Sequence, residues 1–248
     1  MFVALPLYDD APHTGSELGT YGLITACGAV FLWQLGQPDG GDEAALSFGM
    51  IPAVLFHHAT LPAQLQHVAP WMTIFTSMFL HGGWAHILGN MLYLWLFGRG
   101  VEAPLGLVRF LALYFISGVA AAMTQAAIDP HSTVPMIGAS GAIAGVLGAY
   151  LILHPRGNVV TLLWVIIFVR LVSVPAVILL GLWFLLQVLG ALGSEGEPGV
   201  AVWAHVGGFI TGLVLVTLLR PANVQLFHPA RTQPFRLAPR GRQRGPWG

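Results

Sequence analysis

Apolar residues in this chain come in long runs rather than at alternate or heptad positions. Runs without Asp, Glu, Lys or Arg cover 18–38, 44–98, 110–128, 130–155, 171–194 and 198–219. A helix that crosses a bilayer needs roughly 20 mostly apolar residues. Turn residues cut the runs into six predicted spans: 20–37, 83–101, 106–128, one opening near Ser140 and ending before Pro155, 173–192, and 200–219. Residues 44–80 are equally uncharged, but Pro52, Pro62 and Pro70 forbid one continuous helix there. That segment is expected to be a large loop lying partly in the membrane interface, because lipid-exposed irregular backbone is too costly deeper in the hydrocarbon. Residues 158–169, between Arg156 and Arg170, are too few to span and predict an interfacial segment. Residues 193–199 predict a turn, 1–19 a short N-terminal segment, and the Pro- and Arg-rich residues 220–248 a disordered tail.

Composition changes the picture only by naming the solvent. Of 248 residues, 56% are hydrophobic and 8% charged, against about 25% charged in soluble domains. Too few polar residues remain to cover apolar helices with a water-facing shell, so lipid is the expected surroundings. All ten basic residues are arginines. With six alternating spans, Arg99, Arg109, Arg156, Arg170, Arg220 and the tail arginines fall on one side. Asp39, Asp42, Glu43, Asp129, Glu195 and Glu197 fall in loops on the other. The positive-inside rule then puts both termini in the cytoplasm. Residues 1–20 hold Asp9, Asp10 and Glu17 and no basic residue. That does not fit a cleaved signal peptide, and the first helix is expected to be retained. The single cysteine, Cys27, reads as a packing residue.

Polar groups inside apolar runs are costly and mark work or pairing. Three places hold them. His86 and Asn90 lie four apart, on one helix face one turn apart, and both can donate hydrogen bonds while neutral. They also suit a plain interhelical hydrogen-bond pair. Ser140, in Gly138-Ala139-Ser140-Gly141, opens the fourth helix, where free N–H groups favour a developing negative charge. His205, in Ala204-His205-Val206-Gly207-Gly208, comes early in the sixth. Gly141, Gly145 and Gly148 form one small-residue row, and Gly208 and Gly212 another. Such rows let helix backbones touch, which would bring Ser140 to His205. Histidine could then serve the serine as general base, with His86 and Asn90 donating to the oxyanion. The histidine-rich stretch His57, His58, His67, His81 and His86 raises a metal site. No carboxylate lies nearby and no His-Glu-x-x-His motif occurs, so the loop histidines are expected to be interfacial or capping residues.

The trio His86-x-x-x-Asn90, Gly138-Ala139-Ser140-Gly141 and Ala204-His205-Val206-Gly207-Gly208 resembles the rhomboid family of intramembrane serine proteases. The likeness runs from about Pro70 to Leu219 and takes in Gly98, Glu102 and the stretch 181–187. It implies an all-α polytopic membrane protein, a six-transmembrane-helix bundle over residues 20–219. It also implies a Ser140–His205 dyad with His86 and Asn90 at the oxyanion, no cofactor and no metal. Residues 44–80 resemble the family's membrane-embedded first loop, and the fifth helix with the loop after it resembles the family's lateral gate and cap. The implied partners are the lipid bilayer and single-pass membrane proteins, cut near the outer end of their spanning helix, and no nucleic acid. The implied location is a cell inner membrane. A silent relative that binds or escorts membrane clients is the alternative, though such relatives typically lack the serine or the histidine. Two positions depart from well-known members. Ala144 stands where an aromatic ring stacks on the histidine, and Trp71 is followed by Met72 rather than Arg.

Overall fold

The computed structural model describes residues 2–11, 17–165, 168–193, 201–230, 232 and 234–235. Strand β1 (Phe2–Asp9) precedes helix α1 (Leu18–Leu35). Three short helices, α2 (Asp42–Phe48), α3 (Pro52–Leu55) and α4 (Thr73–Thr76), thread the proline-broken loop. Pro52 sits in the first turn of α3, where its missing N–H costs nothing. Helices α5 (Trp84–Tyr93) and α6 (Arg99–Leu105) run into each other through a wider turn at Leu94–Gly98. Then come α7 (Leu107–Ile128), α8 (Ser140–Leu153), the hairpin of β2 (Asn158–Val165) and β3 (Phe168–Pro175), α9 (Ala176–Gly193) and α10 (Val202–Leu219).

Among the described residues, α1, α7 and α10 are long and apolar enough to cross a membrane, and Ser140–Leu153 and Ala176–Leu192 are shorter apolar helices. The outer surface carries exposed leucine, isoleucine and valine in quantity, including Val108, Leu182, Leu192 and Leu218. Patches of that kind face lipid or a partner rather than water. The chain is a multi-pass membrane protein.

Pro104 lies inside α6 and has no N–H to offer the carbonyl of Gly100 one turn back. His154, just past α8, meets that carbonyl instead, Nε2 to O at 3.0 Å. Two residues before Pro104, buried Glu102 accepts from the backbone N–H groups of Gly19 (2.7 Å) and Thr20 (2.8 Å) and from the Thr20 hydroxyl (2.8 Å). These are the first N–H groups of α1, which no carbonyl of its own helix can take. Helices α8 and α10 pack backbone to backbone. A Cβ placed on Gly208 would strike the Gly141 carbonyl, one on Gly212 the Gly145 carbonyl, and one on Gly148 the Phe209 carbonyl. The predicted glycine rows thus meet.

An expectation of helix alone does not hold. β1, β2 and β3 form an antiparallel sheet in that order, Phe2 opposite Val165 and Asn158 opposite Pro175. Residues 158–175 are rich in Val and Ile, eight of eighteen, which favour extended backbone. The predicted interfacial segment is therefore the first strand of a hairpin and the start of its second. The predicted fifth helix loses Ser173, Val174 and Pro175 to β3 and begins at Ala176. Pro6, with no N–H, sits where the β1 register shifts, on an edge strand. The near end of the predicted disordered tail is bonded to the fold: Phe227 N donates to Ile152 O (2.9 Å), His228 N to Leu153 O (2.8 Å) and Thr232 N to the Asp10 carboxylate (2.9 Å). Residues 194–199 of the predicted turn, residue 200 of the sixth predicted span and residues 236–248 of the tail lie outside the described residues.

Candidate active site

The end of the bundle away from the sheet holds a cavity of about 970 Å³. All four chemistry-bearing residues predicted from sequence line it: His86, Asn90, Ser140 and His205. Ser140 is the first residue of α8, and His205 lies one turn into α10. Direct glycine contact between those helices sets the two side chains against each other, His205 Nε2 at 2.8 Å from Ser140 Oγ. The backbone N–H groups of Ser140, Gly141 and Ala142 open the helix, where no carbonyl lies one turn back to accept them.

His86 and Asn90 approach from α5. Gly82 N donates to His86 Nδ1 at 3.3 Å. The neutral ring then carries its proton on Nε2. That nitrogen lies against Gly138: a Cβ there would sit 2.7 Å from His86 Nε2 and 3.7 Å from Asn90 Nδ2. Gly138 itself has φ of +121°, a region that favours glycine. Its N–H donates to Ser77 O at 2.8 Å, which anchors the loop before α8. Asn90 is buried, and its Nδ2 meets no hydrogen-bond partner among the described residues. An orphaned donor of this kind is costly and rare, and this one lines the cavity beside Ser140.

Two groups hold His205 where Ala144 offers no ring. Gln187, on α9, places Oε1 at 2.8 Å from His205 Nδ1. The Trp183 ring, one turn earlier on the same helix, has its centroid 6.0 Å from the imidazole. Sequence reasoning reached this stretch only as part of a likeness and assigned Gln187 no role. The available signal was an amide inside an otherwise apolar helix. Gln125 on α7 accepts from Ala204 N at 3.3 Å and so ties the start of α10 to its neighbour. Of the other predicted histidines, His57, His58 and His67 do not line the cavity, whereas His81 packs edge-on against His86, ring centroids 5.1 Å apart. His67 stacks on Phe48, and His58 lies 4.2 Å from the ring of His131. His81 is buried, with Nδ1 at 3.2 Å from Phe79 O.

Comparison with known proteins adds a family. The profile described as Rhomboid domain matches residues 68–222. RHOMBOID-like protein 4 of Arabidopsis thaliana is 36% identical over 144 residues, 57% of this chain and 33% of that protein. RHOMBOID-like protein 5 of the same plant is 34% identical over 153 residues, 61% of this chain and 45% of that protein. Rhomboid protease GluP of Bacillus subtilis is 41% identical over 81 residues, 33% of this chain and 15% of that protein. The chain thus spans less than half the length of these relatives.

Proposed function

Because the chain belongs to the rhomboid family, we propose that it is an intramembrane serine endopeptidase that cuts single-pass membrane proteins near the outer end of their spanning helix. The observation that carries this reading is the 2.8 Å contact between Ser140 Oγ and His205 Nε2, in a cavity where the Asn90 amide donor has no partner among the described residues. His205 takes the Ser140 proton as Oγ attacks the scissile carbonyl. The oxyanion forms beside Gly138, within reach of His86 Nε2–H, Asn90 Nδ2 and the free N–H groups of α8. His205 then protonates the leaving amine, and water, deprotonated by the same ring, releases the acyl group.

The same proposal has α1, the α5–α6 run, α7, α8, α9 and α10 as six spans, in a cell inner membrane. The arginine-bearing end and both termini face the cytoplasm, and the cavity opens to the outer side. Two relatives named as proteases, GluP and YdcA of Bacillus subtilis, support the enzymatic reading over a silent client-binding one. The test is cleavage of a model single-pass substrate by detergent-purified protein. Wild type is expected to cut, and Ser140→Ala and His205→Ala to leave the substrate whole. Cleavage by either variant at the wild-type rate sinks the dyad.

A further inference from the structure

A histidine that accepts a proton from serine must present a bare ring nitrogen to it. Neutral imidazole has two tautomers, and only the one protonated on Nδ1 leaves Nε2 free to accept. The hydrogen bond at the far nitrogen decides between them. In this protein the far nitrogen, Nδ1, lies 2.8 Å from an amide oxygen, Gln187 Oε1, while Nε2 lies 2.8 Å from Ser140 Oγ. A carbonyl oxygen accepts and cannot donate. The pair therefore requires the proton on Nδ1 and leaves Nε2 bare toward the serine. An amide does this without placing a second charge in a low-dielectric site, where an unpaired carboxylate would be expensive.

Gln187 reaches inward from a helix whose neighbouring Leu185, Leu186 and Leu189 are exposed. Its one-turn neighbour Trp183 leans toward the same imidazole. A Cβ on Gly181 of that helix would enter open space among the described residues, and one on Gly190 would lie 3.7 Å from Val202. The serine and histidine thus come from the backbone-packed pair α8 and α10, and the acceptor on Nδ1 comes from the more lightly packed α9.

We infer that Gln187 is a positioning residue that sets the tautomer and orientation of His205, taking the place of the aromatic support that Ala144 does not supply. The inference rests on the dyad proposed above, and its test separates the two. The full chain, labelled with ¹⁵N-histidine, is compared in detergent as wild type, His205→Ala, Gln187→Leu and Gln187→Glu. The His205→Ala spectrum identifies the His205 resonances. Wild type is expected to show His205 protonated on Nδ1 and bare on Nε2. Gln187→Leu, close in size but with no acceptor, is expected to lose that preference. On a model substrate its kcat should fall about tenfold or more with KM within about twofold, as for loss of a tautomer-fixing partner. Gln187→Glu keeps the acceptor and is expected to restore both the Nδ1-protonated signature and most of kcat. An unchanged His205 signature and unchanged kcat in Gln187→Leu would overturn the inference and leave the dyad standing. Equal losses in the Leu and Glu variants with the wild-type tautomer retained would show a packing role only, and would overturn it too. Cleavage by Ser140→Ala would instead overturn the dyad, while the ¹⁵N signatures still decide the tautomer.

Discussion

Gly138 meets two constraints at once. Its backbone stands at φ +121°, and its missing Cβ leaves room for the His86 ring, which an added methyl would approach to 2.7 Å. Gly138→Ala is therefore expected to cost about 1–3 kcal/mol of backbone strain and to push His86 away from the proposed oxyanion position. Turnover should fall by about a hundredfold, the scale of losing one oxyanion donor, while the unfolding midpoint in detergent drops only modestly. Near-normal turnover in a folded variant would remove His86 from the proposed role. At this scale the sequence was informative because polar atoms in an apolar run are expensive, so His86, Asn90, Ser140 and His205 stood out singly. Gln187 is polar in just such a run, yet it had no spacing relation to the other motifs. Its partner lies 18 positions on, in another helix, and only tertiary packing aligns the two.

Elements here are joined by backbone groups that their own helices cannot satisfy. Glu102 supplies acceptors to the first N–H groups of α1, and His154 fills the carbonyl that Pro104 leaves open in α6. Glu102→Ala would leave two buried N–H groups without a partner, and is expected to lower stability by about 1–3 kcal/mol. The measurement is thermal unfolding in detergent, paired with specific activity of the folded fraction, which should hold because Glu102 lies at the opposite end from Ser140. A fall in specific activity without a fall in midpoint would contradict that division. Which helices touch was legible from the glycine rows, since Gly141, Gly145, Gly208 and Gly212 have little other reason to share that spacing. The sheet was not. Hydropathy scores an apolar strand and an apolar helix alike, and length alone told 158–169 from a span. The strand nature of Phe2–Asp9 depends on a hairpin more than 140 residues away, which no local window contains.

The whole molecule has two unlike ends. Contacts of Glu102 with Gly19, His154 with Gly100 and Phe227 with Ile152 gather the tips of α1, α6, α8 and α10 at one end. Arg99, Arg109, Arg156 and Arg220 are found there, and the sheet with Arg170 is tied to it by Asp10 and Asn158. Gln34 with His81, Gln125 with Ala204, and Ser140 with His205 mark the other end. The proposed orientation predicts that Asp39→Cys in intact cells is labelled by a membrane-impermeant thiol reagent, and that Arg156→Cys is labelled only after lysis. The native Cys27 is fully buried and gives a silent background. The reverse pattern would turn the protein over in the membrane. The sheet also sets a schedule for assembly. Phe2 pairs with Val165 and Asp9 with Val159, while Asp10 also receives Thr232. At a synthesis rate of about 5–20 residues per second, the opening strand waits on the order of ten to thirty seconds for its partner to be made. The carboxyl-terminal clasp comes later still. Strand β1 thus waits unpaired while α1 to α8 are made, and the Thr232 contact closes only after α9 and α10 have followed.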